Sequence, residues 1–304
     1  MADYLRACIE SVKAGGNRIA DLKSTKVEEK PNEYVGRGSR VTNADYESQE
    51  KALERLFEAD LRDNFYFITE EHAKNPKFRQ RVISPSNLEL MKNHGVYIFD
   101  ELDGTPSHQS GHHEWSVSCG YVDAMKHMAG AVYAPKIGGG TTFFGSYDNG
   151  AFVQEGNREP IQVEVSKQTD LKKSQVLLGI DCATPKYPLH NQLMAQSGRR
   201  WDWGKTMGSC AVGLGLIASG RQDLLIQPLQ SCWDWAGGKI SVEEAGGVMI
   251  FYEMEKNDRG EFTKIKPVDI LEPRHYDPTK RTLGFVAGNR SLAEDAMSML
   301  LSLR

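Results

Sequence analysis

Four groups of acidic side chains stand at the ends of what read as regular elements: Asp45, Glu70-Glu71, Asp100-Glu101-x-Asp103, and Asp234 inside CWDWAGG. Carboxylates gathered in one cleft repel one another and stay ionised together only when cations sit among them. Oxygen-only ligands favour a hard ion, so Mg²⁺ is the first expectation and Mn²⁺ the second. Two such ions about 3.5–4 Å apart clamp the attacking and leaving oxygens of an in-line displacement. Asp100 and Asp103 suit that chemistry. The first ends an apolar run, and the second precedes Gly104-Thr105, where a turn entering a helix would offer backbone N–H groups to a phosphate.

Other reactive types are less telling. His108, His112 and His113 precede Glu114, but Gly111 interrupts any helix and no fourth ligand is evident, so they read as a solvent-facing loop bordering the site and not as a zinc centre. Gly138–Gly140 lacks the lysine of a phosphate-binding Walker loop and reads as a hairpin. Gly213 and Gly215 suggest close helix packing, and Trp201, Trp203, Trp233 and Trp235 core or subunit contacts.

The elements that must position the acids follow from periodicity. Leu5, Cys8, Ile9 and Val12 mark an amphipathic helix, and a second runs from near Asp45 to Leu61, capped by Asn43 or Asp45. Residues 24–40 read as a mobile loop or hairpin. FYFIT (65–69) and GVYIFD (95–100) are strands, each running into acidic residues, and the polar stretch 74–93 between them reads as a connector outside the core. WSVSCGYV, AGAVYAP, TTFFGSY, GAFVQ and IQVEVS, separated by turns such as Asn149-Gly150, predict an antiparallel meander. After about residue 168, strands VLLGID, DLLIQP, VMIFY and GFVAG alternate with helical stretches HNQLMAQSG, TMGSCAVGLGLIASG, WAGGKISVEEAGG and RSLAEDAMSMLLSL. The expectation is one domain, 1–304, in two subregions: 1–168 with helices and an antiparallel sheet, and 169–304 of α/β character.

Composition sets the outer limits. The chain has 304 residues, 39% of them hydrophobic, enough for a large interior, and its net charge of -4 gives no reason to expect nucleic acid or an acidic membrane. Five cysteines (Cys8, Cys119, Cys182, Cys210, Cys232) form no C-x-x-C pair, which suits a reducing cytoplasm. No apolar stretch nears the roughly 20 residues of a membrane span, and MADYLRACIESVK lacks the apolar region of a signal peptide.

DELDGT (100–105), TEEH (69–72) and CWDWAGGKISVEEAGG (232–247) resemble, in order, the D-P-x-D-G-T/S, G-E-E-S and W-D-x-A-A-G motifs of the inositol monophosphatase superfamily. VTNAD (41–45), GSCAV (208–212) and GFVAGNRSLAE (284–294) resemble its weaker motifs, so the likeness runs the length of the chain. It implies an α+β fold, a layered α/β/α/β/α sandwich, and Mg²⁺-dependent hydrolysis of a small-molecule phosphate ester by two or three ions, commonly in a homodimer. Carried over residue by residue, it makes Glu70, Asp100, the Leu102 carbonyl, Asp103 and Asp234 metal ligands. Thr105 and Asp45 would activate the water, with Glu70 helping, and the Gly104 and Thr105 amides would hold the phosphate. Gly208, Ser209 and Gln227 would face the organic part of the substrate.

Departures are informative. Glu101 replaces the usual proline and adds negative charge beside the metals, and Thr69 replaces glycine. Gln227 stands where inositol-selective members carry a glutamate, which argues against inositol selectivity. A sugar or cyclitol phosphate is the leading expectation, with a 3′-phosphoadenosine nucleotide phosphatase or a fructose-1,6-bisphosphatase as alternatives. A non-catalytic binding protein of the same fold is the alternative of another class, although no expected ligand is missing.

Overall fold

Leu5, Cys8 and Val12 form the buried stripe of helix α1 (Asp3–Ala20), while Ile9 packs at its margin. The computed structural model describes residues 3–22, 26–30, 39–62, 64–71, 73, 75–179, 188–195, 199–259, 261–281 and 283–303. Strands β1 (Val27–Lys30) and β2 (Ser39–Thr42) pair antiparallel, the hairpin alternative for this region; residues 31–38 lie outside the described ones. Helix α2 (Asn43–Ala59) packs along α1. Its cap is Thr42 and neither Asn43 nor Asp45. The Thr42 hydroxyl accepts from the Ala44 N–H at 3.1 Å, and Asp45 in the third helical position accepts from the Thr42 N–H at 2.7 Å. This capping box was legible as T-x-x-D in TNAD.

β3 (Phe65–Thr69) leads through α3 (Pro76–Arg79) to β4 (Gly95–Asp103), which lies parallel to it. The connector 74–93 is not outside the core: Phe78, Ile83 and Met91 are buried, since a few apolar side chains suffice to anchor a polar segment. After the short helix α4 (Thr105–Gln109) come β5 (Ser116–Asp123), β6 (Lys126–Ala134), β7 (Thr141–Ser146), β8 (Gly150–Glu155) and β9 (Ile161–Val163). They pair in sequence order as the expected meander, completing a seven-stranded sheet.

The second sheet has six strands in the order β11-β10-β12-β15-β13-β14. Its elements along the chain are β10 (Gln175–Leu178), α5 (Pro188–Ala195), β11 (Trp203–Thr206), α6 (Cys210–Ala218), β12 (Leu224–Gln230), α7 (Cys232–Glu244), β13 (Val248–Lys256), β14 (Phe262–Val268), β15 (Leu283–Gly288) and α8 (Arg290–Ser302). β11 and β14 escaped the sequence reading because both are edge strands, WGKT and FTKIKPV, whose polar residues suit an edge but break apolar patterning.

The layers run α1 and α2, the seven-stranded sheet, α6 and α7, the six-stranded sheet, then α5 and α8. This is the α+β sandwich of five layers. The middle layer is seated by glycines. A Cβ on Gly120 of β5 would lie 2.5 Å from the Ala236 carbonyl oxygen, and one on Gly130 of β6 would lie 2.3 Å from that of Gly237. α7 therefore rests directly on the first sheet and brings its own first turn to the end of β4.

Candidate metal centre

Strand register does most of the assembly. β3 and β4 run parallel with Thr69 opposite Phe99, so Glu70, just past the end of β3, comes beside Asp100 within β4. Within β4, residues three apart would ordinarily point to opposite faces. Between Asp100, opposite Ser118, and Asp103, opposite Ser116, β4 carries one extra residue. Such a bulge re-aims side chains, and here it lets Asp103 join Asp100 on one side.

Asp234 reaches the same place from the third position of α7. Its Oδ2 accepts from the Ser231 N–H at 2.7 Å, and a carboxylate in the first helical turn is favoured by the helix dipole. Ligand oxygens of Asp100, Asp103 and Asp234, all buried, lie within 4.8 Å of one another. Glu70 is not part of that mutual set, but its charge acts on Asp100. Burial, then the charges of Glu70, Asp103, Asp234 and Glu101, push the Asp100 carboxyl well above the ordinary carboxylate range.

Asp103 is fixed by α6. Its Oδ2 accepts from the Ser209 hydroxyl at 2.5 Å and from the Ala211 N–H at 2.7 Å. Because the Ser209 proton goes to Asp103, Ser116 must be the donor in the 3.0 Å contact between the two serine hydroxyls. Ser209 also caps α6 by accepting from the Val212 N–H. Gly208 packs on the turn after β4: a Cβ on Gly104, which has φ +90°, would lie 2.8 Å from the Gly208 carbonyl oxygen.

Thr105 opens α4 and is buried. Its hydroxyl can donate to Asp45 Oδ1 at 3.1 Å or to the Leu102 carbonyl at 2.9 Å. The other Asp45 oxygen accepts from the Thr42 N–H and hydroxyl, at 2.7 and 2.6 Å. Burial outweighs these bonds and raises the Asp45 pKa. Asp100 Oδ1 accepts from the Leu102 N–H at 3.0 Å, which ties the Asp100 side chain to the bulged end of β4 just before Thr105.

The remaining expected residues fall as follows. Gln227 is buried on β12, on the same strand face as Leu225, and its Oε1 would lie 2.2 Å from a Cβ on Gly179. Glu101 is buried, and its Oε1 accepts from the Glu71 N–H at 2.6 Å, so it ties the β3 and β4 ends together. His108 is not in a solvent-facing loop. It lies on α4 with its ring edge-on to Trp115, 5.0 Å between centroids, and burial lowers its pKa, whereas His112 and His113 are exposed. Two residues were missed. Thr42 had a signal in the capping-box pattern; Arg281, whose Nη2 lies 4.0 Å from Asp234 Oδ2, had none in the loop YDPTKRT.

The donor set fits a divalent cation. Several carboxylates converge in a buried place, and burial together with its acidic neighbours makes one of them, Asp100, hard to ionise. All donors are oxygens, as Mg²⁺ or Mn²⁺ prefers. Among the described residues no helix is long and apolar enough to cross a membrane.

Residues 1–291 match the inositol monophosphatase family. Inositol monophosphatase 3 of Solanum lycopersicum is 32% identical over 256 residues, covering 80% of this chain and 84% of the relative. A fructose-1,6-bisphosphatase/inositol-1-monophosphatase of Thermotoga maritima is 26% identical over 158 residues, 52% of this chain and 57% of that protein. The crystal structure of extragenic suppressor protein suhB from Bartonella henselae has the same fold, with a TM-score of 0.70 over 99% of this chain and 97% of that one, at 19% identity.

Proposed function

We propose that this chain, which belongs to the inositol monophosphatase family and is thereby a phosphoric monoester hydrolase, uses Mg²⁺ to hydrolyse a small sugar or cyclitol phosphate by direct attack of water, without a phosphoenzyme. The observation that carries this reading is the buried Asp100, Asp103 and Asp234 group, lying beside the Thr105–Asp45 pair. Glu70, Asp100, the Leu102 carbonyl, Asp103 and Asp234 are the residues we assign to the ions. Bound there, Mg²⁺ supplies Lewis-acid polarisation of the phosphate, a lowered pKa for a water and stabilisation of the leaving oxygen.

The chain's own groups have separate tasks. Thr105 orients the attacking water through its oxygen while its own proton points to Asp45. Asp45 Oδ2 is occupied by two donors from Thr42, so Oδ1 is the oxygen that takes the proton. The Gly104 and Thr105 amides hold the phosphate. Ser209 has its hydroxyl committed to Asp103, so it acts on the substrate side, with Gly208, through the backbone.

A pH profile follows from Asp45. The base must be ionised, and burial raises its pKa. kcat/KM should therefore fall, as pH is lowered, around a midpoint above the ordinary aspartate value of about 3.9. Asp45→Asn should be slow and should lose that acid limb; an unchanged limb would assign it to another group.

Gln227 governs the polyol prediction. A glutamate there accepts charge-assisted hydrogen bonds from hydroxyls, each worth about 1.5–3 kcal/mol, whereas glutamine offers one acceptor and one donor group. Inositol 1-phosphate should be a poor substrate, and Gln227→Glu should improve it about tenfold, as ~1.4 kcal/mol gives. Equal kinetics of both forms on inositol 1-phosphate and on a bisphosphate would mean that this side chain does not read the substrate.

The reading as a whole is tested by phosphate release from inositol 1-phosphate, fructose 1,6-bisphosphate and 3′-phosphoadenosine 5′-phosphate at saturating Mg²⁺. Turnover of a sugar or cyclitol ester supports it, preference for the nucleotide would transfer it to the alternative substrate, and no turnover would favour a binding protein of the same fold.

A further inference from the structure

We infer that Arg281 reads a second negative charge on the substrate, a phosphate or carboxylate on the part that leaves; this rests on the phosphatase reading above and narrows its substrate class. Arg281 lies in the loop before β15. β15 runs antiparallel to β12 with Leu283 opposite Gln230, so two residues earlier the loop passes the start of α7. There Arg281 Nη2 comes within 4.0 Å of Asp234 Oδ2, with the arginine side chain 33% exposed. That separation is one of charge attraction and exceeds a hydrogen bond. The Asp234 oxygen already takes the Ser231 N–H at 2.7 Å. A partly exposed guanidinium thus stands beside one carboxylate of the acidic group, from where we infer that it meets the part of the substrate that leaves.

Its chemistry is selective. A guanidinium presents paired donors in a rigid plane that matches a carboxylate or phosphate, and it has no acceptor to offer a polyol hydroxyl. The second feature of this edge agrees. Gln227, three residues before Gln230 on the same strand and buried, is neutral, so no fixed negative charge at that position opposes an anionic substrate. An acidic residue there would repel the group that Arg281 attracts.

The test compares fructose 1,6-bisphosphate with fructose 1-phosphate, which differ only by the second phosphate, and adds 2-phosphoglycerate as the carboxylate arm. Wild type should favour the esters with a second anion. Arg281→Met should lower that preference about tenfold, mostly through KM, and Arg281→Lys should restore part of it. Thermal melting checks that each variant is folded, and the Mg²⁺ midpoint is measured alongside. Equal losses on all esters with a shifted Mg²⁺ midpoint would make Arg281 a counter-ion of Asp234 and overturn the inference, as would an unchanged preference. Failure of wild type to hydrolyse any phosphate ester would overturn the phosphatase reading and this inference with it.

Discussion

Asp100→Asn should lower kcat/KM by at least about a thousandfold while leaving the metal-free fold as stable as before or more so. The catalytic loss follows from position. Asp100 is the most enclosed carboxylate of the group, and four other acids act on it. The charge stabilisation supplied by bound ions is worth several kcal/mol, and each ~1.4 kcal/mol is a factor of ten. The stability effect has the opposite sign. A carboxyl whose folded pKa is raised binds its proton more tightly in the native state than in the unfolded one, so native stability falls as pH rises from the unfolded value toward the folded one. Wild type without metal bears this cost at neutral pH, and asparagine removes it. Melting of the metal-free proteins should show the variant equal or higher at pH 7, with the gap closing as pH falls toward about 4. A variant that keeps wild-type kcat/KM would remove Asp100 from the site.

Thr105→Ala should reduce kcat about 100- to 1,000-fold with little change in Mg²⁺ affinity. General-base assistance contributes about 10²–10⁴-fold, and the Thr105 hydroxyl lies within hydrogen-bond reach of both Asp45 Oδ1 and the Leu102 carbonyl. The fold should tolerate the change, since one internal hydrogen bond contributes about 1 kcal/mol net. Thr105→Ser should recover much of the rate. Kinetics across an Mg²⁺ titration would contradict the assignment if the alanine variant lost metal affinity yet kept kcat at saturation.

The sequence made the acids visible but not the devices that aim them. DELDGT announced Asp100 and Asp103, yet three positions apart on a strand they should face away from each other. Only the bulge opposite Ser116–Ser118 reconciles them, and a bulge depends on the partner strand. Asp45 was legible as an acid near a helix start. That Thr42 fills the cap, with Asp45 directing one oxygen back to it and the other toward Thr105, was written in the T-x-x-D pattern, but the choice of Asn43 or Asp45 as the cap passed it over. Ser209 read as a substrate contact from motif order, but the geometry gives its hydroxyl to Asp103. The meander and the alternating second half were plain because buried strands and helix faces carry strong periodicity. β11 and β14 were hidden because edge strands carry charge where a central strand would be apolar. Arg281 had no local signal, since its placement arises from the β12–β15 register.

The central claim is that these carboxylates hold a divalent cation which the hydrolysis requires. The direct measurement is phosphate release from a sugar phosphate by the full chain as Mg²⁺ is removed with excess chelator and then restored. The account predicts no detectable turnover in chelator and a saturable return of full activity on re-addition of Mg²⁺. Undiminished turnover in excess chelator would contradict it.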